Sequence, residues 1–141
     1  MPVTTLNWDQ DHLRLIDQTR LPAELKHLEC RDVATVAEAI KMLRVRGAPA
    51  IGVAAGYGVV IAAQEAIASN LPAEPHIRKA IEILAATRPT AVNLFWALDR
   101  MGTTLDGMSG AGAQDLRDGL LAEANLIFDE DRETCRRIGR N

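Results

Sequence analysis

From Gly47 to Ala63 the sequence carries no charged side chain and is built almost entirely from Gly, Ala, Val and Ile around a single Tyr57. This run constrains the fold more than any other feature. It is slightly short for a membrane span, which needs about 20 apolar residues. Small residues on every side of a helix let neighbouring helices approach closely, and a helix that is apolar all round must be buried. The segment therefore reads as the central helix of a helical domain, with no membrane partner expected.

The flanking segments fit that reading. Before residue 31 the pattern has β character. Val3 to Trp8 is a short apolar run, Asp9-Gln10-Asp11 a polar turn, Leu13 to Ile16 a second run and Leu25 to Cys30 a third. A small antiparallel sheet over 1–30 is expected. From Val33 the period changes to that of a helix, through Val36, Ala37, Ile40 and Leu43. Asp32 is placed to cap it, Thr35 with Glu38 offers a capping box, and the stop should come near Val45-Arg46-Gly47.

The central helix should start at Pro49, because proline fits the first helical turn, and should run to about Ser69. Asn70-Leu71-Pro72 breaks it. Ile77, Ala80, Ile81 and Leu84 mark a third helix. Thr87-Arg88-Pro89 ends that one and opens a fourth, from Thr90 to about Leu105. Asp106 to Gly112 is a glycine-rich loop. Leu116, Leu120, Ala124, Ile127 and Phe128 mark a fifth helix, stopped at Gly139 after Arg136 and Arg137. The expected fold class is mainly α: a small N-terminal antiparallel sheet over 1–30, then a bundle of about five helices over 31–141.

Composition narrows the function classes. With 141 residues the chain has the length of one domain. A net charge of -3 argues against a nucleic-acid partner, which selects a strongly basic face, but leaves room for a local pocket for a small anion. Cys30 and Cys135 lie far apart with no paired-cysteine motif, so reduced thiols are expected rather than a disulfide framework or a zinc site. Met1 to Asp11 has no secretory pattern, and a cytoplasmic location is expected. His12, His27 and His76 show no metal-ligand spacing and read as surface or edge residues. Gly110-Ala111-Gly112 does not follow a strand, so a dinucleotide site is not expected. Cys135 reads as an incidental helix residue, and Phe95 and Trp96 as core.

Two segments repeat one arrangement. Arg46-Gly47-Ala48-Pro49 and Arg88-Pro89-Thr90 each put an arginine just before a proline that can open a helix. A helix N-terminus presents unpaired N–H groups and a partial positive charge, which suits a phosphate. Gly47 lets an anion approach the backbone, and an arginine adds a planar fork of donors. Taken by itself the pattern has a plainer reading, which it favours: solvated arginines in two ordinary inter-helix loops. Asn93, one turn into the fourth helix, either faces a ligand or serves a buried polar group.

Longer stretches add a resemblance. Val45-Arg46-Gly47-Ala48-Pro49-Ala50-Ile51-Gly52 with Ala54-Ala55-Gly56-Tyr57-Gly58, then Thr87 to Leu98, and the opening Asp17-Gln18-Thr19-Arg20-Leu21-Pro22, resemble the methylthioribose-1-phosphate isomerases in the family's order along essentially the whole chain. That superfamily also holds ribose-1,5-bisphosphate isomerase and regulatory subunits of a translation-initiation exchange factor.

The resemblance implies the N-terminal domain of a longer two-domain enzyme of methionine salvage. Such an enzyme converts 5-methylthioribose 1-phosphate to 5-methylthioribulose 1-phosphate, needs no cofactor or metal, and forms a homodimer at full length. It further implies that Arg46, Gly47, Ala48 and Arg88 hold the substrate phosphate. The family's catalytic cysteine and aspartate belong to a Rossmann-like C-terminal domain and have no counterpart here, so this chain alone is expected to be inactive. Ribose-1,5-bisphosphate isomerase and a non-catalytic exchange-factor type of subunit are the alternatives.

Overall fold

The computed structural model describes residues 6–16, 27–42, 48–88 and 91–140, without the side chains of 48–49 and 131–140. Three short strands come first: β1 (Leu6–Asp9), β2 (His12–Ile16) and β3 (His27–Cys30), antiparallel in that spatial order. The register sets Leu6 against Leu15, Trp8 against Leu13, and Leu13 against Cys30. Alternation thus gathers Leu6, Trp8, Leu13, Leu15, Leu28 and Cys30 on one apolar face. The β1–β2 connection turns at Gln10, whose φ of 58° lies in the left-handed region. The Trp8 indole holds the turn by donating to the Gln10 carbonyl at 3.0 Å.

Five helices follow: α1 (Val33–Lys41), α2 (Ala48–Ser69), α3 (Ala73–Ala85), α4 (Val92–Asp106) and α5 (Ala113–Arg140). The mainly α class with a small sheet is therefore as expected. Every residue of α2 from Ile51 to Ala63 is buried, and α2 packs on all four other helices as well as on β1 and β2. By length and composition it could cross a membrane, with a hydropathy of 1.5 over Ala50–Ser69, but here it is the buried centre of the domain. Trp8 stacks on Tyr57 with ring centroids 5.1 Å apart, and Phe128 of α5 meets the same ring edge-on. Sheet and bundle thus share one core.

Local chemistry explains most boundaries. The Asp32 carboxylate accepts the Thr35 N–H at 2.7 Å, so Asp32 caps α1 as expected. Glu65 of α2 accepts the Val33 N–H at 3.1 Å and bonds His76 of α3 at 2.9 Å. At the end of α2, Asn70 adopts a φ of 54°. Its N–H donates to Ile67 and that of Leu71 to Ala66, closing a Schellman motif.

Four expectations fail at helix ends. Thr35 lies inside the first turn of α1, because Asp32 takes the cap, so the Thr35–Glu38 box does not form. Helix α1 ends at Lys41 with Met42 as its cap, before the expected stop, and 43–47 lie outside the described residues. Helix α4 begins at Val92 with Ala91 as its cap, later than the expected start at Thr90, and 89–90 lie outside the described residues. Helix α5 runs through Gly139 to Arg140. A glycine ends a helix where the chain turns left-handed, and otherwise costs only about 1 kcal/mol.

Candidate functional site at the first turns of two parallel helices

Gly52, in the second turn of α2, lies directly against the first turn of α4. A Cβ on Gly52 would sit 3.0 Å from the Asn93 carbonyl oxygen and 3.5 Å from the Ala97 Cβ. One turn further along α2, the same position on Gly56 meets the Met101 sulfur at 3.9 Å. Advancing along α2 therefore means advancing along α4. The two helices run parallel, and their N-termini lie side by side at one end of the domain. Only glycine allows so close an approach at Gly52, which is a physical reason for that residue there.

Parallel helix dipoles repel, and each N-terminus carries roughly half a positive charge. Among the described residues nothing local offsets this. Neither α2 nor α4 has an acidic residue in its first turn, and α4 has no side-chain cap. Ala91 accepts from Leu94 and Phe95. Among the described residues, the N–H groups of Val92 and Asn93 find no acceptor. This end of the bundle is set up electrostatically for an anion.

Arg88 stands just before α4 and is partly buried. Its carbonyl accepts the Ala91 N–H at 3.0 Å, which ties it to the helix start. Among the described residues no carboxylate pairs with its guanidinium. Other arginines are engaged: Arg78 with Glu74 and Asp106, and Arg100 with Glu123 and, as a fork, with Glu130 at 2.9 and 2.7 Å. Glu130 foremost holds the Arg100 guanidinium above its ordinary pKa.

Of the four residues assigned from sequence, Arg88 precedes α4 and is tied to its cap through the Ala91 N–H, and Ala48 is the first residue of α2. Arg46 and Gly47 lie outside the described residues. Asn93 is partly buried in the first turn of α4, and among the described residues its amide makes no hydrogen bond. Phe95 and Trp96 are not core as expected: they are 36% and 52% exposed, and the Arg100 guanidinium lies 5.5 Å from the Trp96 ring centre. Both sit one turn beyond the helix start, on the side of α4 that also carries exposed Val92. Nor are all the histidines at the surface. His12 is only 5% exposed and His76 is partly buried against Glu65.

A helical domain with a small sheet and two parallel helix starts facing one anion-ready end defines the class. Residues 44–141 match the initiation factor 2 subunit family, and the chain belongs to that family. It is 46% identical over 136 residues to methylthioribose-1-phosphate isomerase of Heliobacterium modesticaldum, covering 96% of this chain and 39% of that protein. It is 51% identical over 129 residues to the same enzyme of Rhodopirellula baltica, covering 90% of this chain and 36% of that one. Among solved structures it resembles 5-methylthioribose 1-phosphate isomerase from Pyrococcus horikoshii, with TM-score 0.78 and 39% identity over 89% of this chain and 36% of that one. It also resembles translation initiation factor eIF-2B, subunit delta, from A. fulgidus, with TM-score 0.82 and 40% identity over 94% of this chain and 38% of that one. The chain thus spans about two-fifths of the length of the curated relatives it matches.

Proposed function

We propose that this chain is the substrate-phosphate-holding, N-terminal part of a cytoplasmic methylthioribose-1-phosphate isomerase, with its sheet (1–30) and helices (31–141) forming one domain of a two-domain homodimer. The observation that carries this is the side-by-side N-termini of α2 and α4, which among the described residues have no acidic side chain in their first turns, with Arg88 beside them and no described carboxylate on its guanidinium. A phosphate dianion needs several donors at once. The Val92 and Asn93 N–H groups, the Arg88 fork and Ala48 at the start of α2 are such donors, and the family resemblance adds Arg46 and Gly47, which precede Ala48 in the sequence.

The reaction moves a carbonyl from C1 to C2 of a sugar whose anomeric oxygen carries the phosphate. That ester blocks simple ring opening, so an acid must assist the departure of the ring oxygen before hydrogen passes from C2 to C1. The family's cysteine and aspartate do this from the other domain. The present domain fixes the phosphate, and with it the sugar, against them; orientation of this kind lowers barriers substantially.

The test is kinetic, on the full-length protein. Arg88→Ala should weaken substrate binding by about 2–5 kcal/mol, and Arg88→Lys should restore only part of it, because the planar fork is lost. Unchanged kinetics in Arg88→Ala would contradict the assignment. The likeness to the A. fulgidus subunit supports a second, regulatory reading, which predicts no turnover of 5-methylthioribose 1-phosphate by the full-length protein.

A further inference from the structure

Far from the phosphate end, the open corner of the sheet gathers a second group of polar side chains. Gln64, near the C-terminal end of α2, donates to the Asp11 carbonyl at 2.7 Å. That contact places the β1–β2 turn roughly 24 Å along α2 from Ala48, at 1.5 Å per residue. Asp9 and His12 are register partners across the turn, and Glu29 lies on β3. Alternation puts all three on the sheet face opposite Leu13 and Cys30.

His12 is buried, yet both of its ring nitrogens face carboxylates. Nδ1 is 2.9 Å from Asp11 Oδ1, while Nε2 is 3.1 Å from Glu29 Oε1 and 4.0 Å from Asp9 Oδ2. A neutral imidazole has one N–H to give. With Nδ1–H donated to Asp11, the Nε2 lone pair points toward oxygens that can only accept. His12, Asp9 and Glu29 then present three lone-pair donors within 4.8 Å of one another. Among the described residues Arg31 approaches only Asp11, at 3.7 Å. Arg14 stands opposite Glu29 in the ladder, but its Nε is buried without an acceptor. Among the described residues no lysine or arginine pairs with Asp9 or Glu29.

We propose that His12 Nε2, Glu29 and Asp9 bind one divalent cation of the zinc class, with Asp11 orienting the imidazole. One nitrogen and two carboxylate oxygens suit a borderline ion with bonds of about 2.0–2.2 Å, and water completes the shell. Such bonds put neighbouring ligands roughly 3.3 Å apart, close to the 3.1 and 4.0 Å seen here. The Asp9 and Glu29 side chains are 44% and 50% exposed, so they can turn the remaining distance and the ion can reach them. Asp11 on Nδ1 is the outer carboxylate that metal-bound histidines use to fix their tautomer. Magnesium and calcium, which call for more oxygen ligands, fit less well. The bound ion would pin the β1–β2 turn to β3.

The experiment is calorimetric titration of the chelator-treated protein with zinc chloride, with magnesium chloride as the hard-ion comparison. One Zn2+ per chain should bind, magnesium should not compete, and the melting temperature should rise with zinc. Glu29→Gln and Asp9→Asn, both at exposed side chains, should keep the fold by circular dichroism and each weaken zinc at least tenfold, while Asp11→Asn should cost about 10–100-fold. His12→Gln is not relied on, because a buried side chain changes. No stoichiometric zinc binding, or binding that survives both Glu29→Gln and Asp9→Asn, would overturn the proposal. In either case the group is a hydrogen-bonded cluster of His12 with Asp11 and Glu29 and takes no ion.

Discussion

Replacing Gly52 with alanine perturbs the packing that brings the two helix starts together. In an open helix interior, glycine to alanine stabilises by about 1 kcal/mol. At Gly52 the added methyl would lie 3.0 Å from the Asn93 carbonyl oxygen and 3.6 Å from the Asn93 carbonyl carbon. These are backbone atoms, which cannot rotate away. Overpacking of this kind costs about 1–3 kcal/mol. The balance is a net loss of about 0–2 kcal/mol. For a chain of this length that lowers the melting temperature by up to roughly 6 °C. The internal comparison is Gly102→Ala on α4, where nothing lies within 4 Å of the new methyl. That variant should gain about 0.5–1 kcal/mol. Thermal and urea denaturation of the pair measures the difference directly. Gly52→Ala should also displace the first turn of α4 and weaken phosphate-ester binding, whereas Gly102→Ala should not. If Gly52→Ala is stabilised as much as Gly102→Ala and binds as before, the close approach of α2 and α4 is refuted.

Two further predictions concern the core. Tyr57→Phe keeps the stacking on Trp8 but removes the 2.7 Å bond donated to Asn125 Oδ1, so it should cost about 1 kcal/mol in urea denaturation; an unchanged midpoint would mean that the bond is worthless. Burial pushes the Cys30 thiol up from 9.0 to about 12. A raised folded value means that its contribution to stability is intact below about pH 9 and is lost as pH rises toward 12. Cys30→Ala should flatten that alkaline decline, and an identical slope in both proteins would contradict it.

The main lines of this fold were legible because they rest on local rules. The uncharged run around Tyr57 has no polar side, so burial at the centre is its only soluble solution. Apolar periodicity located α3 and the buried positions Leu116, Leu120, Ala124 and Ile127 of α5. Asn70 and Asp32 acted as their chemistry suggests. What failed depended on partners. Whether α4 begins at Thr90 or at Val92 changes no periodicity, and Gly139 stops a helix only if the chain turns there. Phe95 and Trp96 are adjacent aromatics at the edge of an apolar stripe, and which edge faces the bundle is settled by how α4 lies on α2. His12 reads as polar in sequence; only the ladder brings Glu29 beside it. For the candidate site, the two arginine-flanked helix starts taken alone favoured solvated loop arginines, and only the family resemblance singled out Arg46, Gly47, Ala48 and Arg88. The parallel contact at Gly52 came from packing alone.

The most direct measurement is amide chemical-shift mapping of the full-length protein during titration with 5-methylthioribulose 1-phosphate. The account predicts that the largest shifts fall on Val92, Asn93 and the first turn of α2, and that Arg88→Ala abolishes them at the same ligand concentration. Shifts concentrated elsewhere in the domain, or unchanged affinity in Arg88→Ala, would contradict the claim that these two helix starts hold the phosphate.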